Sequence, residues 1–293
     1  MSTTLQLEKA ATRAVEQVAT SQVAPVGTFT VRRALPFHGR HSVGPWVFLD
    51  HFGPFRVKPG EDGVGAHPHA GIETVTYLLS GRNEHRDSAG HVGVVAAGGA
   101  QWMTSGRGII HAEHPLAQNE AELTMHGIQL WTTLPRALKT MEPGYQRIDA
   151  SAIPAVRAAG ATVRVIAGEY AGTAGPAKTL MPTLLWHVTV DAGATFEASL
   201  ASGYEAGAYV IEGRGRFGAA SDASIGQIVV FDASEAALRI DNTGDAKLEV
   251  MVLGGAPAEG PLVFHGPFVM NSVEQVRAAE IAYRTGRMGE LAG

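Results

Sequence analysis

His67 and His69 flank a proline in the string Ala66-His67-Pro68-His69-Ala70-Gly71, and His111 and Glu113 flank an alanine farther along the chain. On a β-strand the side-chain period is two, so each pair projects from one face of its strand. If the two strands face each other inside a closed barrel, three imidazoles and one carboxylate converge on a point. That is a donor set for a divalent metal, and an octahedral ion held by four such ligands keeps two positions for water, dioxygen or substrate. The nitrogen-rich set suits Fe, Ni, Cu or Zn rather than Ca or Mg.

A lone His-x-His says little in a chain with 12 His, most of which serve the core or the surface. The surroundings say more. Glu73 follows, the run Thr74-Val75-Thr76-Tyr77-Leu78-Leu79 has the β-branched and aromatic character of a strand, and Ser80-Gly81 ends it with a turn. Glu113 has two roles open to it: as a ligand it lowers the charge on the metal, and swung off the metal it accepts a proton from a substrate hydroxyl. Glu73 is the runner-up carboxylate. His114 stands an odd step from His111 and points away, while His85, His91, His187 and His265 are read as satisfied or exposed. Gln101, Arg107 and Gln129 are candidate pocket residues, and Trp102 and Met103 are read as core. No His-Glu-x-x-His string is present, which removes a zinc peptidase.

The elements that position these residues are short strands. Thr28–Ala34 and Val47–Asp50 alternate, the turn cluster Lys58-Pro59-Gly60-Glu61-Asp62-Gly63 delivers the chain to the His-Pro-His strand, and Gly127–Leu134 is another strand closed by Pro135. The stretch from Tyr145 to Gly160 connects two halves, with a boundary near residue 150. The second half repeats the first: Glu73-x-x-x-Tyr77-x-x-x-Gly81 aligns with Glu205-x-x-x-Tyr209-x-x-x-Gly213. That alignment puts Ser199 and Ala201 opposite His67 and His69, and Leu238 and Ile240 opposite His111 and Glu113. The second copy therefore keeps the frame and lacks the ligands. Ser272-Val273-Glu274-Gln275 has the form of a capping box and opens a C-terminal helix. Residues 1–24 are read as an amphipathic helix or a tail, on Leu5, Leu7, Ala10, Ala14, Val15 and Val18.

Composition bounds the class. The chain has 293 residues, 36 Gly and 15 Pro, which suits many short strands, and its net charge of -5 gives no basic footprint for direct nucleic-acid binding. It has no cysteine, so no disulfide frame and no zinc–thiolate site. No apolar run is long enough for a membrane span and no signal-peptide pattern opens the chain, so the expected location is the cytoplasm.

The string His67-Pro68-His69-Ala70-Gly71-Ile72-Glu73-Thr74-Val75 resembles the first metal motif of the cupin superfamily, and Gly108-Ile109-Ile110-His111 the second. Four further strings resemble the pirin family of bicupins: Phe48–Pro54, Glu84-His85-Arg86-Asp87-Ser88, Gln101–Gly108 and His265-Gly266-Pro267-Phe268-Val269-Met270-Asn271. The resemblance implies a mostly β protein of two tandem cupin antiparallel β-barrels with a C-terminal helix. The N-terminal cupin would span 25–148 and carry the metal site; the C-terminal one would span 149–293. It implies Fe(II) as cofactor, with Ni, Cu, Mn, Co or Zn as alternatives, on His67, His69, His111 and Glu113. In many cupins the Glu of the first string is itself a ligand; in pirins the later Glu takes that place, which leaves Glu73 a structural role. The terminal segment of pirin-like proteins crosses back onto the first domain. Two functions follow from the resemblance. One is a quercetin 2,3-dioxygenase acting on a small aromatic or flavonoid substrate with O2, with Glu113 as base. The other is a non-catalytic iron-dependent regulator that binds another protein.

Overall fold

The computed structural model describes residues 11–61, 63–117 and 122–291. Its named strands pair antiparallel and form two barrels of the same plan, each a seven-stranded sheet facing a four-stranded one. The first barrel runs from the Gln22–Val26 strand to the Gly144–Ile148 strand. The second begins at Ala155–Ala158 and ends its sheet with Leu248–Gly255.

Alternation decides what each strand gives to each side. Along Ile72–Ser80, Val75 and Tyr77 enter a core shared between the barrels, whereas Thr76 points into the first barrel. The repeat strand Glu205–Glu212 does the same: Tyr209 and Ile211 join the shared core, and Ala206, Ala208 and Val210 fill the second barrel. The shared core is apolar, with Trp46, Trp102, Leu130, Leu185 and Leu253 fully buried. The second barrel is filled throughout by apolar side chains, among them Phe196, Phe217, Phe231, Leu238 and Ile240. Leu238 and Ile240 thus occupy the places of His111 and Glu113, as the repeat indicates.

The register corrects the other half of that alignment. His111 pairs with His67, and its counterpart Leu238 pairs with Ala198. The residues in place of His67 and His69 are therefore Ala198 and Leu200, because the turn before the Glu205 strand carries one extra residue. A one-residue slip exchanges the two faces of a strand, and Ala198 and Leu200 pack inward where Ser199 is exposed.

The chain's ends are exchanged between barrels. Residues 1–10 lie outside the described residues, but Val15–Thr20 is a strand, not the expected helix, and it pairs with Gln227–Phe231 of the second barrel. Its burial alternates with period two, and the unpaired edge of the Gln227–Phe231 strand supplies the hydrogen bonds that a helix would have supplied internally. Arg13 beside it is buried and donates to the carbonyls of Tyr204 (2.7 Å), Asp232 (3.0 Å) and Ala236 (3.2 Å), closing one end of the second barrel. In the other direction, the Val263–His265 and Phe268–Met270 hairpin and the helix Val273–Arg284 pack on the first barrel. The helix starts as expected, with Ser272 Oγ accepting from the Gln275 N–H at 3.2 Å. Buried Lys139 ties the hairpin down by donating to Val269 O and Gly71 O, each at 2.7 Å. Among the described residues no helix is long and apolar enough to cross a membrane.

Candidate metal centre

The Val64–His69 and Ile109–Pro115 strands pair in the first barrel's smaller sheet, with His67 opposite His111 and His69 opposite Ile109. A side-chain nitrogen from each of His67, His69 and His111 lies within 4.8 Å of the other two. His69 and His111 are buried, and His67 is partly exposed at the cavity side. Their other nitrogens are occupied in ways that free the convergent ones. His67 Nδ1 lies 2.8 Å from Gly65 O and His69 Nδ1 lies 3.2 Å from Pro267 O, so each ring donates Nδ1–H and offers Nε2. His111 Nε2 is buried without a partner. A buried nitrogen left unpaired costs roughly 1–3 kcal/mol, and a metal at the convergence point would remove that cost.

Burial pushes His69 down to about 3, with the neighbouring His67 adding to the shift and the Pro267 carbonyl opposing it. His111 falls well below the ordinary range for the same first reason, reinforced by His69, His67 and His85. Both rings are thus neutral at physiological pH, as a metal requires of imidazole.

Glu113 shares the cavity wall with His67 and His69 but stands outside the close group of three histidines. Its Oε1 accepts from Thr76 Oγ1 (2.8 Å), from Asn83 Nδ2 (3.2 Å) and from Gln101 Nε2, and Oε2 takes none of these bonds. Gln129 touches the same Thr76 hydroxyl and lines the cavity. Arg107 does not; it pairs with Glu142 at the surface. His114 is absent from the cavity wall, and Trp102 and Met103 are core. Glu73 is buried away from the histidines, accepting from Thr104 Oγ1 at 2.8 Å.

The cavity beside the histidines has a volume of about 970 Å³, large enough for a multi-ring ligand. Its walls are aromatic. Phe48 and Trp131 stack at 4.1 Å, Trp131 meets His69 edge-on at 5.0 Å, and Phe29 stacks on Phe55 at 5.0 Å. The Arg33 guanidinium lies 4.7 Å from the Phe48 ring centre and is held by Asp50 in a two-pronged pair at 2.9 and 2.7 Å. The wall is completed from the C-terminal hairpin by Phe264, Gly266 and Pro267.

Comparison with known proteins bears on this arrangement. A family model described as Pirin matches residues 28–132, and one described as Pirin C-terminal cupin domain matches residues 185–289. Pirin-like protein 2 of Arabidopsis thaliana is 37% identical over 265 residues, covering 88% of this chain and 80% of the relative. Pirin of Mus musculus is 35% identical over 263 residues, with 88% of each chain covered. The chain belongs to the pirin family. Among solved structures, a quercetin 2,3-dioxygenase from Acinetobacter baumannii superposes with a TM-score of 0.90 at 28% identity, covering 96% of this chain and 99% of the other.

The pirin-like strings acquire positions in this light. Gln101 holds Glu113, Pro267 holds His69, and Phe48 forms the cavity wall. His85, read as satisfied or exposed, is satisfied by Asp87, and what sequence reasoning missed is its contact with His111. His85 is buried and stands 3.5 Å from His111, Nδ1 to Nδ1. The available signal was its spacing from Asp87, a His-x-Asp pair on a strand neighbouring the His111 strand.

Proposed function

We propose that this pirin-family chain is a metal-dependent dioxygenase of the quercetin 2,3-dioxygenase type, with Fe(II) held by His67, His69 and His111 and joined by Glu113. The observation that carries the reading is the convergence of three imidazoles, those of His69 and His111 neutral, beside an aromatic-walled cavity that His67, His69 and Glu113 line. The overall likeness to a quercetin 2,3-dioxygenase supports it. Iron is favoured over Ni, Cu, Mn, Co or Zn because a histidine-and-carboxylate set with open positions suits oxygen chemistry. When bound, the metal supplies a Lewis acid for a substrate oxygen and a place for O2.

The protein's own part is orientation and proton removal. The Phe48–Trp131 stack presents flat surfaces on which a planar polyphenol lies with its edge toward the histidines. Thr76, Asn83 and Gln101 fix Glu113 through Oε1, which leaves Oε2 to receive a hydroxyl proton from such a substrate. Arg33 is neutralised by Asp50, so the cavity favours an uncharged aromatic over a small dianion.

The test is anaerobic loading with Fe(II) followed by oxygen uptake with quercetin. Wild-type protein should consume oxygen, His69→Ala should bind no stoichiometric metal and consume none, and Glu113→Gln should lose roughly 100-fold to 10,000-fold in turnover. Iron bound at one per chain with no uptake would turn the assignment toward the regulator.

A further inference from the structure

On the strand beside that of His111 and in the turn that follows it, three further side chains form a line. His85 Nδ1 makes a long contact of 3.5 Å with His111 Nδ1, and His85 Nε2 lies 2.9 Å from Asp87 Oδ2. The same Oδ2 is 2.9 Å from Nδ1 of His91, which stands at the surface. Asp87 Oδ1 lies 3.1 Å from the same His91 nitrogen and also accepts the backbone N–H groups of Ala89 and His91, each at 3.0 Å. Tyr145 lies flat against His85 at 4.4 Å with 13° between the rings, and Gly93 leaves it room, since a Cβ there would sit 2.3 Å from the Tyr145 hydroxyl. The His85 ring is therefore fixed in plane as well as in place.

With a single proton on each ring, proton counting along this line gives one answer. A carboxylate has only acceptors, so the His85 nitrogen facing Asp87 carries that ring's proton and its Nδ1 is bare. A bare Nδ1 facing His111 requires the proton of His111 to be on its own Nδ1. The lone pair of His111 is then on Nε2, the buried nitrogen that lacks a partner. We propose that Asp87 and His85 act in series as positioning residues, fixing the ring and tautomer of His111 so that Nε2 is presented to the metal. The inference rests on reading His67, His69 and His111 as ligands. Partners of this kind are worth roughly 10- to 100-fold in metal affinity.

Asp87→Asn is the informative change because it barely alters shape. The two backbone donors hold the amide oxygen at the Oδ1 position, which places the NH2 group toward His85. His85 must then shift its proton to Nδ1, and His111 must answer by moving its own to Nε2, where the metal would bind.

The experiment measures Ni(II) affinity by competition with a chelator, unfolding temperature, and ring nitrogen–proton correlations of the histidines in metal-free protein. Expected are a 10- to 100-fold weaker Ni(II) affinity for Asp87→Asn at near wild-type unfolding temperature, and an Nδ1–H tautomer of His111 in wild type that becomes Nε2–H in the variant. His91→Gln, changed at the surface end, should bind within about twofold of wild type, since only ligand-orienting partners carry the larger effect. Wild-type protein that binds no Ni(II) would overturn the ligand reading itself. If wild type binds and Asp87→Asn binds as tightly, or if wild-type His111 is the Nε2–H tautomer, the positioning role alone is overturned. Should Asp87→Asn fail to fold, the wild-type tautomer decides.

Discussion

Glu73 and Glu113 are both carboxylates of the first barrel, and their strands send them to opposite fates. Glu113 points into the cavity, where three neutral donors accommodate its charge. Glu73 is buried with Thr104 as its hydrogen-bond donor, and burial lifts its pKa to about 7 from 4.5. Between those values the folded state holds a proton that the unfolded chain has released, so stability falls as pH rises from 4.5 through 7. Glu73→Gln removes that loss. Thermal unfolding should show the variant more stable than wild type at pH 8, by up to about 3 kcal/mol, and no advantage at pH 4. Metal content should be unchanged, which separates Glu73 from the ligands. The convergence of His67, His69 and His111 was legible because a period of two needs only the sequence. His85 was not, because its role depends on which strand lies beside the His111 strand, and a string does not contain that pairing.

At the scale of elements, the repeat extends to a polar contact that each half makes with the other. Tyr77 of the first barrel reaches His187 Nδ1 of the second at 3.1 Å, and its counterpart Tyr209 reaches His51 Nδ1 of the first at 2.9 Å. The register makes His51 and His187 equivalent, since they pair with Ile128 and Met251, which in turn pair with Tyr77 and Tyr209. The two histidines differ in their outer neighbours: His51 Nε2 lies 2.6 Å from His126 Nε2, whereas His187 faces Glu249 at 3.4 Å. Burial first, then His126 and Arg32, hold His51 at about 3 against 6.5. A histidine kept neutral in the fold and protonated when unfolded weakens the protein as pH falls from 6.5 toward 3. Urea unfolding across that window should show a shallower loss for His51→Gln than for wild type. Tyr209→Phe should cost roughly 1–3 kcal/mol by leaving His51 Nδ1 buried and unpaired. Strand existence and the repeat were readable from alternation and the Glu-x-x-x-Tyr-x-x-x-Gly string. The Val15–Thr20 strand was misread because Val-Glu-Gln-Val-Ala-Thr satisfies a short helical pattern, and only the open edge of a distant strand selects the extended form. The slip to Ala198 and Leu200 was hidden for a similar reason: one added turn residue changes faces without changing composition.

At the scale of the molecule, the two barrels solve one packing problem in two ways. The second fills its interior with apolar side chains and is capped by Arg13; the first keeps polar donors and an open cavity. Arg13→Met should therefore unfold the second barrel's end, lowering stability by roughly 2–4 kcal/mol because three carbonyls lose a buried donor, while Ni(II) still binds one per chain in the first. Calorimetry and metal analysis check both halves of that statement. The exchange of ends has a further consequence for how the centre comes into being. The carbonyl that orients His69 belongs to Pro267, and the peptide carbonyl that Ser88 meets belongs to Met288. A growing chain that already contains His67, His69, His111 and Glu113 still lacks the back wall of their site until it has been extended through the second barrel and folded back. On the proposed ligand assignment, a chain truncated before Pro267 should fail to keep its ion, so that metal retention would report a completed chain.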